Sequence, residues 1–330
     1  MSKEERMSEL VTMSHGSQGD QVSAETFRRW PGWCVTSLIV VGPLVAILLV
    51  IVGLWGRQVG IADLALLLGL YAVSCLGVTA GYHRLFTHKS FVAGRALKIA
   101  LAVAGAVAVE GSLMSWVSNH RRHHRYSDHA GDPHSPLSVG DDGDESGNAP
   151  RRTSLRGLFH AHVGWLFRAE PADEQRFASD LLEDRDLRIV SRLFPLWALC
   201  GLAIPFLAGW AFAGTLTGAV TALVWGGLVR IFLVHHVTWS VNSVCHAFGR
   251  RPFRTRDRSK NFAALALLSF GESWHNSHHA FPTLARHGVD RGQLDITAAC
   301  IRLWERLGWV HDVRWPRPAQ LARRRKGIAA

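Results

Sequence analysis

The stretch LALLLGLYAVSCLGVTAGYHRLFTH, residues 64–88, decides how the chain is read. From Leu64 to Tyr82 it carries no charged residue, and such a run is long enough to cross a hydrocarbon core about 30 Å thick. It ends on two imidazoles, His83 and His88, so a membrane crossing here delivers metal-binding side chains at its mouth. The same charge-free character recurs from Trp30 to Gly56 and from Leu193 to Val229. The last run has 37 residues and would reach roughly 55 Å as one helix, which fits two crossings with a tight turn near Gly209 to Gly218. Four spans are therefore expected, at about 33–55, 61–82, 193–212 and 215–235.

The 11 uncharged residues from Ile99 to Val109 are too few to cross unaided. If the clusters at His83 and His120 build one site, the chain between them starts and finishes on one side of the membrane, so this segment is expected not to cross. The loops between paired spans are short, whereas the His-bearing segments hold most of the Lys and Arg. The positive-inside rule then puts both termini and every cluster in the cytoplasm. The fold class expected is an all-α integral membrane protein, four transmembrane helices under a cytosolic His-rich helical cap. It would be multi-pass and lie in the cell membrane if the source is prokaryotic.

Composition agrees: 48% of the 330 residues are hydrophobic and 19% charged, with the apolar residues gathered in runs. Residues 1–29 read as a disordered polar tail, 30–315 as one membrane domain, and 316–330 as a basic tail. Val139 to Pro150, containing DDGDESGN, reads as a solvated acidic loop. The net charge of +11 is first a topology determinant and second a surface for acidic lipids, acyl carriers or a redox partner. The five cysteines lack CxxC spacing and mostly sit in apolar segments, which excludes a disulfide framework and a sulfur-ligated metal.

The chemistry lies in the histidines. His83 and His88 are followed by His120, His123 and His124, then by His275, His278 and His279, with Asn242 and His246 as a further pair. So many imidazoles exceed what one zinc ion uses, and two metals are the natural count. Each trio stands at i, i+3 and i+4, so on a helix it turns one face to a common point while its adjacent members diverge toward separate ions. His83 and His88, five apart, would be separated by roughly 140° on a continuous α-helix. The helix is thus expected to end or distort between them and to send one ligand to each ion. Asn242 and His246 are i, i+4 and add one imidazole and an amide able to hold a water on a metal. His15, His129, His160, His287 and His311 read as single interfacial residues rather than ligands. His235 and His236, which close the fourth span, read equally well as ligands or as supporting or membrane-interface residues.

The segments GYHRLFTHKSF, NHRRHHRYSDHAGDPHSP, TWSVNSVCHAFGRRPF and GESWHNSHHAFP resemble the signature segments of the membrane-bound fatty acyl desaturases, in particular the stearoyl-CoA delta-9 desaturase group. The likeness runs from about Cys34 to Trp309. It implies two irons held by His83, His88, His120, His123, His124, His246, His275, His278 and His279, with a water bound through Asn242. The implied reaction consumes O2 as co-substrate with two electrons and leaves a cis alkene, expected at delta-9, in a long-chain saturated acyl-CoA. No polar group marks the target carbons, so a bent tunnel has to position the chain. The resemblance places Thr238 and Trp239 at the kink and Tyr71 at the closed end, with Cys75 one turn nearer the metals and Trp116 and Arg168 among the substrate contacts.

Two departures touch the headgroup. An Arg-Asp pair of the animal enzymes is replaced by Ser118 and Asn119, and an Arg-Lys pair by Arg168 followed by Ala169. An acyl-lipid or acyl-carrier-protein substrate therefore stands beside acyl-CoA. With no heme domain, FeS cysteine pattern or GxGxxG fingerprint in the chain, electrons are expected from a separate ferredoxin or cytochrome with its NAD(P)H reductase. Membrane lipid is the other partner, and no nucleic acid is expected. A di-iron membrane hydroxylase shares the His-rich logic and is separated by product analysis, alcohol against alkene. A divalent-metal transporter predicts ligands at mid-bilayer, whereas these lie at span ends and in polar loops.

Overall fold

The computed structural model describes residues 34, 36–45, 47–48, 52, 59–137, 153–168 and 170–326. The expected N-terminal tail, the acidic loop from Val139 to Pro150 and the final four residues lie outside that set. Three helices are long and apolar enough to cross a membrane: α2 (Ile61–Thr87), α6 (Phe194–Ala213) and α7 (Leu216–Ala247). Of the expected first span, 33–55, the structure describes a shorter apolar helix, α1 (Thr36–Val45), and most of the remainder lies outside the described residues. The long helices overrun their expected ends, and that overrun positions the site. The 32 residues of α7 reach about 48 Å, well beyond a hydrocarbon core of about 30 Å. Its final turns carry Thr238, Asn242 and His246.

α2 changes pitch on its way out. It is α-helical over Ile61–Leu76 and π-helical over Gly77–Thr87. Along the widened segment it packs through glycines on α3 (Arg95–Val107). A Cβ on Gly77 would come within 2.2 Å of the Ala104 carbonyl carbon, and one on Gly105 within 2.3 Å of the Tyr82 ring. Two backbones this close leave room for neither side chain. At 13 residues, about 20 Å, α3 is too short to cross, as its sequence suggested. The chain turns back through Val109, at φ 63, and Gly111, at φ +115, into α4 (Leu113–Tyr126). The Ser112 hydroxyl caps α4 by accepting from the Ser115 amide at 3.3 Å. Leu113, Met114 and Val117 bury the inner face of α4, which fixes the rotation at which its histidines emerge.

A short amphipathic helix, α5 (Arg185–Arg192), buries Leu187 and Val190 and leads into α6. Gly214, at φ +64, closes α6, and the Thr215 hydroxyl accepts from the Gly218 amide to start α7. Gly209 lets the two helices touch, since a Cβ there would lie 2.3 Å from that of Ala222. Arg230 on α7 is wholly buried among the spans, and among the described residues no carboxylate pairs with it. Its guanidinium donates to Gly226 O, Ser74 Oγ, Val107 O and Gly201 O, joining α2, α3, α6 and α7. Satisfying all these donors within the protein makes a cation at this depth tolerable.

The cap is completed by α8 (His275–Ala280) and α9 (Ile296–Arg306). A two-residue antiparallel pair, β1 (Val92–Ala93) with β2 (Val310–His311), departs from the all-α expectation and pins the end of the cap to α3. The basic end, read from sequence as a tail, forms a helix over Pro318–Arg324, and Phe253 pairs with Arg325 beyond it.

Candidate metal centre

The nine cluster histidines assemble into two groups. His83, His88, His120, His124 and His278 bring one ligand atom each within 4.8 Å of one another, and His123, His246, His275 and His279 do the same. Each trio divides as its spacing suggested. His120 and His124 stay together while His123 turns to the second group, and His275 and His279 stay together while His278 turns to the first. His83 and His88 do not divide. The expected distortion is present, but it brings the pair together instead of sending one to each ion. In the π segment i bonds to i+5, seen in the His88 amide donating to His83 O at 3.1 Å, and the two rings fall on one side.

In the first group the Nε2 atoms of His83, His278, His124 and His120 follow one another at 3.1, 2.9 and 3.1 Å. In the second, those of His123, His279, His275 and His246 do so at 3.4, 3.0 and 3.0 Å. Imidazole nitrogens roughly 2.1 Å from a common ion, at right angles, stand roughly 3.0 Å apart. The spacing is that of a coordination polyhedron's edge. His88 Nε2 is also buried with no protein hydrogen-bond partner.

The outer nitrogens establish which atoms can bind metal. His123, His246 and His279 direct Nδ1 to Asp132, Asp128 and Asp257 at 3.0, 2.9 and 2.9 Å, and His83 Nδ1 meets Glu272. A carboxylate that accepts the Nδ1–H leaves the Nε2 lone pair for a cation and orients the ring. Burial pushes the pKa of Asp128 up, but His246, Ser135 and the Arg258 amide outweigh it and bring it down to about 2. Asp132 and Asp257 are likewise held below the usual carboxylate range by their partners, against burial. Glu272 falls well below that range, under His83 and Arg84. Four carboxylates held in the ionised form around nine clustered imidazoles make this a place suited to cations. The set of five nitrogen ligands exceeds the closed tetrahedron of structural zinc, the set of four equals it in number, and nine imidazoles in two adjoining groups fit a pair of transition-metal sites.

A cavity of about 370 Å³ runs from the spans to these groups. Cys75, Val78, Val234, Thr238 and Trp239 line it, and it meets the metal groups at His83, His120 and His275. Asn242 and Trp116 also line it, Trp116 stacked on His120 at 4.9 Å. Tyr71 stands one turn beyond Cys75, its hydroxyl donating to Leu268 O at 2.8 Å and its ring edge-on to Phe270. Arg168 is not brought to this cavity. It is exposed and lines a second one, of about 540 Å³, with Arg156, His129 and His160.

Sequence reading passed over several residues. Asp128, Asp132 and Glu272 each lie within eight residues of a histidine cluster, a usable signal, whereas Asp257 stands eleven past His246 and offered none. His287 is not interfacial. It is 1% exposed, packed on His278 with ring centres 4.4 Å apart and 3.4 Å from Glu272. His235 is buried with Nε2 at 3.0 Å from Ala108 O, and His236 pairs with His162. His311 is exposed beside Asp312, and His129 lies against Ser127 O. His15 lies outside the described residues.

The chain matches the family model "Fatty acid desaturase" over residues 60–302. It is 39% identical over 278 residues to a hex-5-enoyl-[acyl-carrier protein] acetylenase of Moorena producens, covering 83% of this chain and 84% of that one. Similarity to an sn-1 stearoyl-lipid 9-desaturase of Anabaena variabilis is 37% over 242 residues, 72% and 79% of the two chains. An acyl-CoA C20 Delta5-desaturase of Anemone leveillei is 36% identical over 252 residues, 75% and 72% of the two.

Proposed function

This chain belongs to the fatty acid desaturase family, and from that premise we propose that it inserts a cis double bond at delta-9 into a long-chain saturated acyl group, using two irons held by the nine histidines. The observation that carries the reading is the meeting of an apolar cavity with two imidazole groups of metal-edge spacing. When bound, the irons, with O2 and two electrons, supply the oxidising power that removes two hydrogens from unactivated methylenes, and the oxygen leaves as two waters once two protons are taken up. The protein's own part is positioning. Cys75, Val78 and Val234 hold the alkyl chain out of water, and Thr238 and Trp239 set its bend beside His120 and His275. Asp128, Asp132, Asp257 and Glu272 keep four rings in orientation.

The cap and both termini are placed on the cytoplasmic side, since the loop from Arg250 to Lys260 and the end from Arg317 to Lys326 hold much of the positive charge. A separate ferredoxin or cytochrome supplies the electrons. Acyl-CoA is the first reading of the substrate. An acyl-lipid or carrier-protein ester is favoured by a specific observation: Arg168, expected near the headgroup, lies away from the cavity. The test is expression in a host without its own desaturase, with each acyl ester profiled and the double bond located. Monounsaturated chains with the bond at carbon nine support the reading, and alcohols or no product overturn it.

A further inference from the structure

Glu110 stands in the reversal between α3 and α4 and lines the apolar cavity. Its Oε2 accepts from Trp116 Nε1 at 3.0 Å. Its Oε1 is buried with no hydrogen bond of sound geometry, and the Thr238 hydroxyl is the other side chain near enough to favour the ionised form. No Lys or Arg lines the cavity among the described residues. The titratable groups facing Glu110 from α2 are Tyr71, Cys75 and Tyr82, none of them charged near neutrality. From α7 comes His235, whose Nε2 is engaged by Ala108 O. The other acids lining the cavity are Glu170 and Glu272, the latter paired with Arg84, and the remaining imidazoles there are His83, His120, His134 and His275.

We propose that Glu110 carries a proton whenever an acyl chain fills the cavity, and that this neutral carboxyl, set between Trp116 and Thr238, is a positioning residue for the alkyl chain. The proposal rests on the reading of the cavity as the acyl site. Its physical basis is that a carboxylate in an apolar wall with no cation beside it gains a proton rather than stay charged. Burial does this to Glu110, pushing it up to about 7 against the hydrogen bonds from Thr238 and Trp116. A chain packed against it removes the remaining water and drives it further the same way. The neutral form also gains an O–H that the Thr238 hydroxyl can accept. Above neutrality, chain binding therefore takes up one proton from solution, and affinity falls as that proton becomes harder to obtain.

The test measures equilibrium binding of tritiated methyl stearate, which has no titrating group of its own, to the solubilised metal-loaded protein across pH. For a single group near 7, the Kd should rise roughly 25-fold between about pH 6.5 and about pH 8.5. Glu110→Gln, which keeps the shape and the acceptor for Trp116, should bind with a low Kd that does not change over that range. A flat profile in the native protein, or the same rise in Glu110→Gln, overturns the role of Glu110 while leaving the acyl site in place. Absence of saturable binding by either protein at any pH overturns the acyl site and this proposal with it.

Discussion

Cys75 offers the sharpest test of the cavity. It is 5% exposed, faces the cavity from α2, and stands four residues from Tyr71, which ties the far wall to Leu268. A leucine at this position pushes a branched group into space that the methyl end of a long chain would fill. If the last two methylenes of an eighteen-carbon chain are displaced, the loss is about 0.8 kcal/mol each, or about 1.6 kcal/mol. At about 1.4 kcal/mol per tenfold, that is roughly 15-fold against the longer chain relative to a sixteen-carbon one. Phenylalanine adds steric overlap, which in a packed site costs about 1 to 3 kcal/mol more. The double bond stays at the same distance from the carboxyl end, because the metal groups and Thr238 have not moved. The assay is a competition between sixteen- and eighteen-carbon substrates, read as the ratio of the two alkene products. An unchanged ratio in both Cys75→Leu and Cys75→Phe would mean the methyl end lies elsewhere, and a moved double bond would mean the chain is registered from its far end.

Other outcomes follow from the same geometry. Asp257→Asn replaces the acceptor at His279 Nδ1 and should lower metal affinity about 10- to 100-fold, measured by chelator competition, with His311→Ala as a silent control. His120→Ala should leave the protein in the membrane but with iron content and activity lost, and full activity with zinc alone would contradict the two-iron reading. Thr255→Cys should resist an impermeant thiol reagent applied outside intact cells, whereas Gly214→Cys, in the turn between α6 and α7, should react, and the reverse pattern would invert the topology. Gly77→Ala places a Cβ 2.2 Å from backbone and should lower the unfolding temperature in detergent, while Gly69→Ala, with nothing within 4 Å, should not.

The spans and the ligand clusters were legible because both are local patterns. A charge-free run marks α6 and α7, and the i, i+3, i+4 spacing sorts His120, His123 and His124 correctly between two groups. What escaped depends on contacts between distant segments. Asp128 meets His246 across 118 positions, and Glu272 meets Arg84 across 188. His287 looks like any isolated histidine until the loop carrying it folds beneath His83 and His278. Arg230 reads as the residue that ends a hydrophobic run, and only packing turns it into the tie among four helices. The placing of His83 and His88 escaped for another reason: a distortion is legible in their five-residue spacing, but its form, a π pitch that brings both rings to one side, is not.

That pitch has an evolutionary reading. A wide turn within a helix is equivalent to one residue inserted into an α-helical ancestor, its strain absorbed by neighbours rather than by a loop. Gly77–Thr87 sustains such a turn over 11 residues. Deleting a single residue there would restore ordinary winding and swing everything downstream by roughly 100°. The loss would fall on both histidines of the first pair at once, along with Arg84 and its hold on Glu272. This segment should therefore tolerate exchanges among small and apolar residues far better than any change in its length, and variants that shorten or lengthen it by one should be as inactive as those that remove a ligand outright.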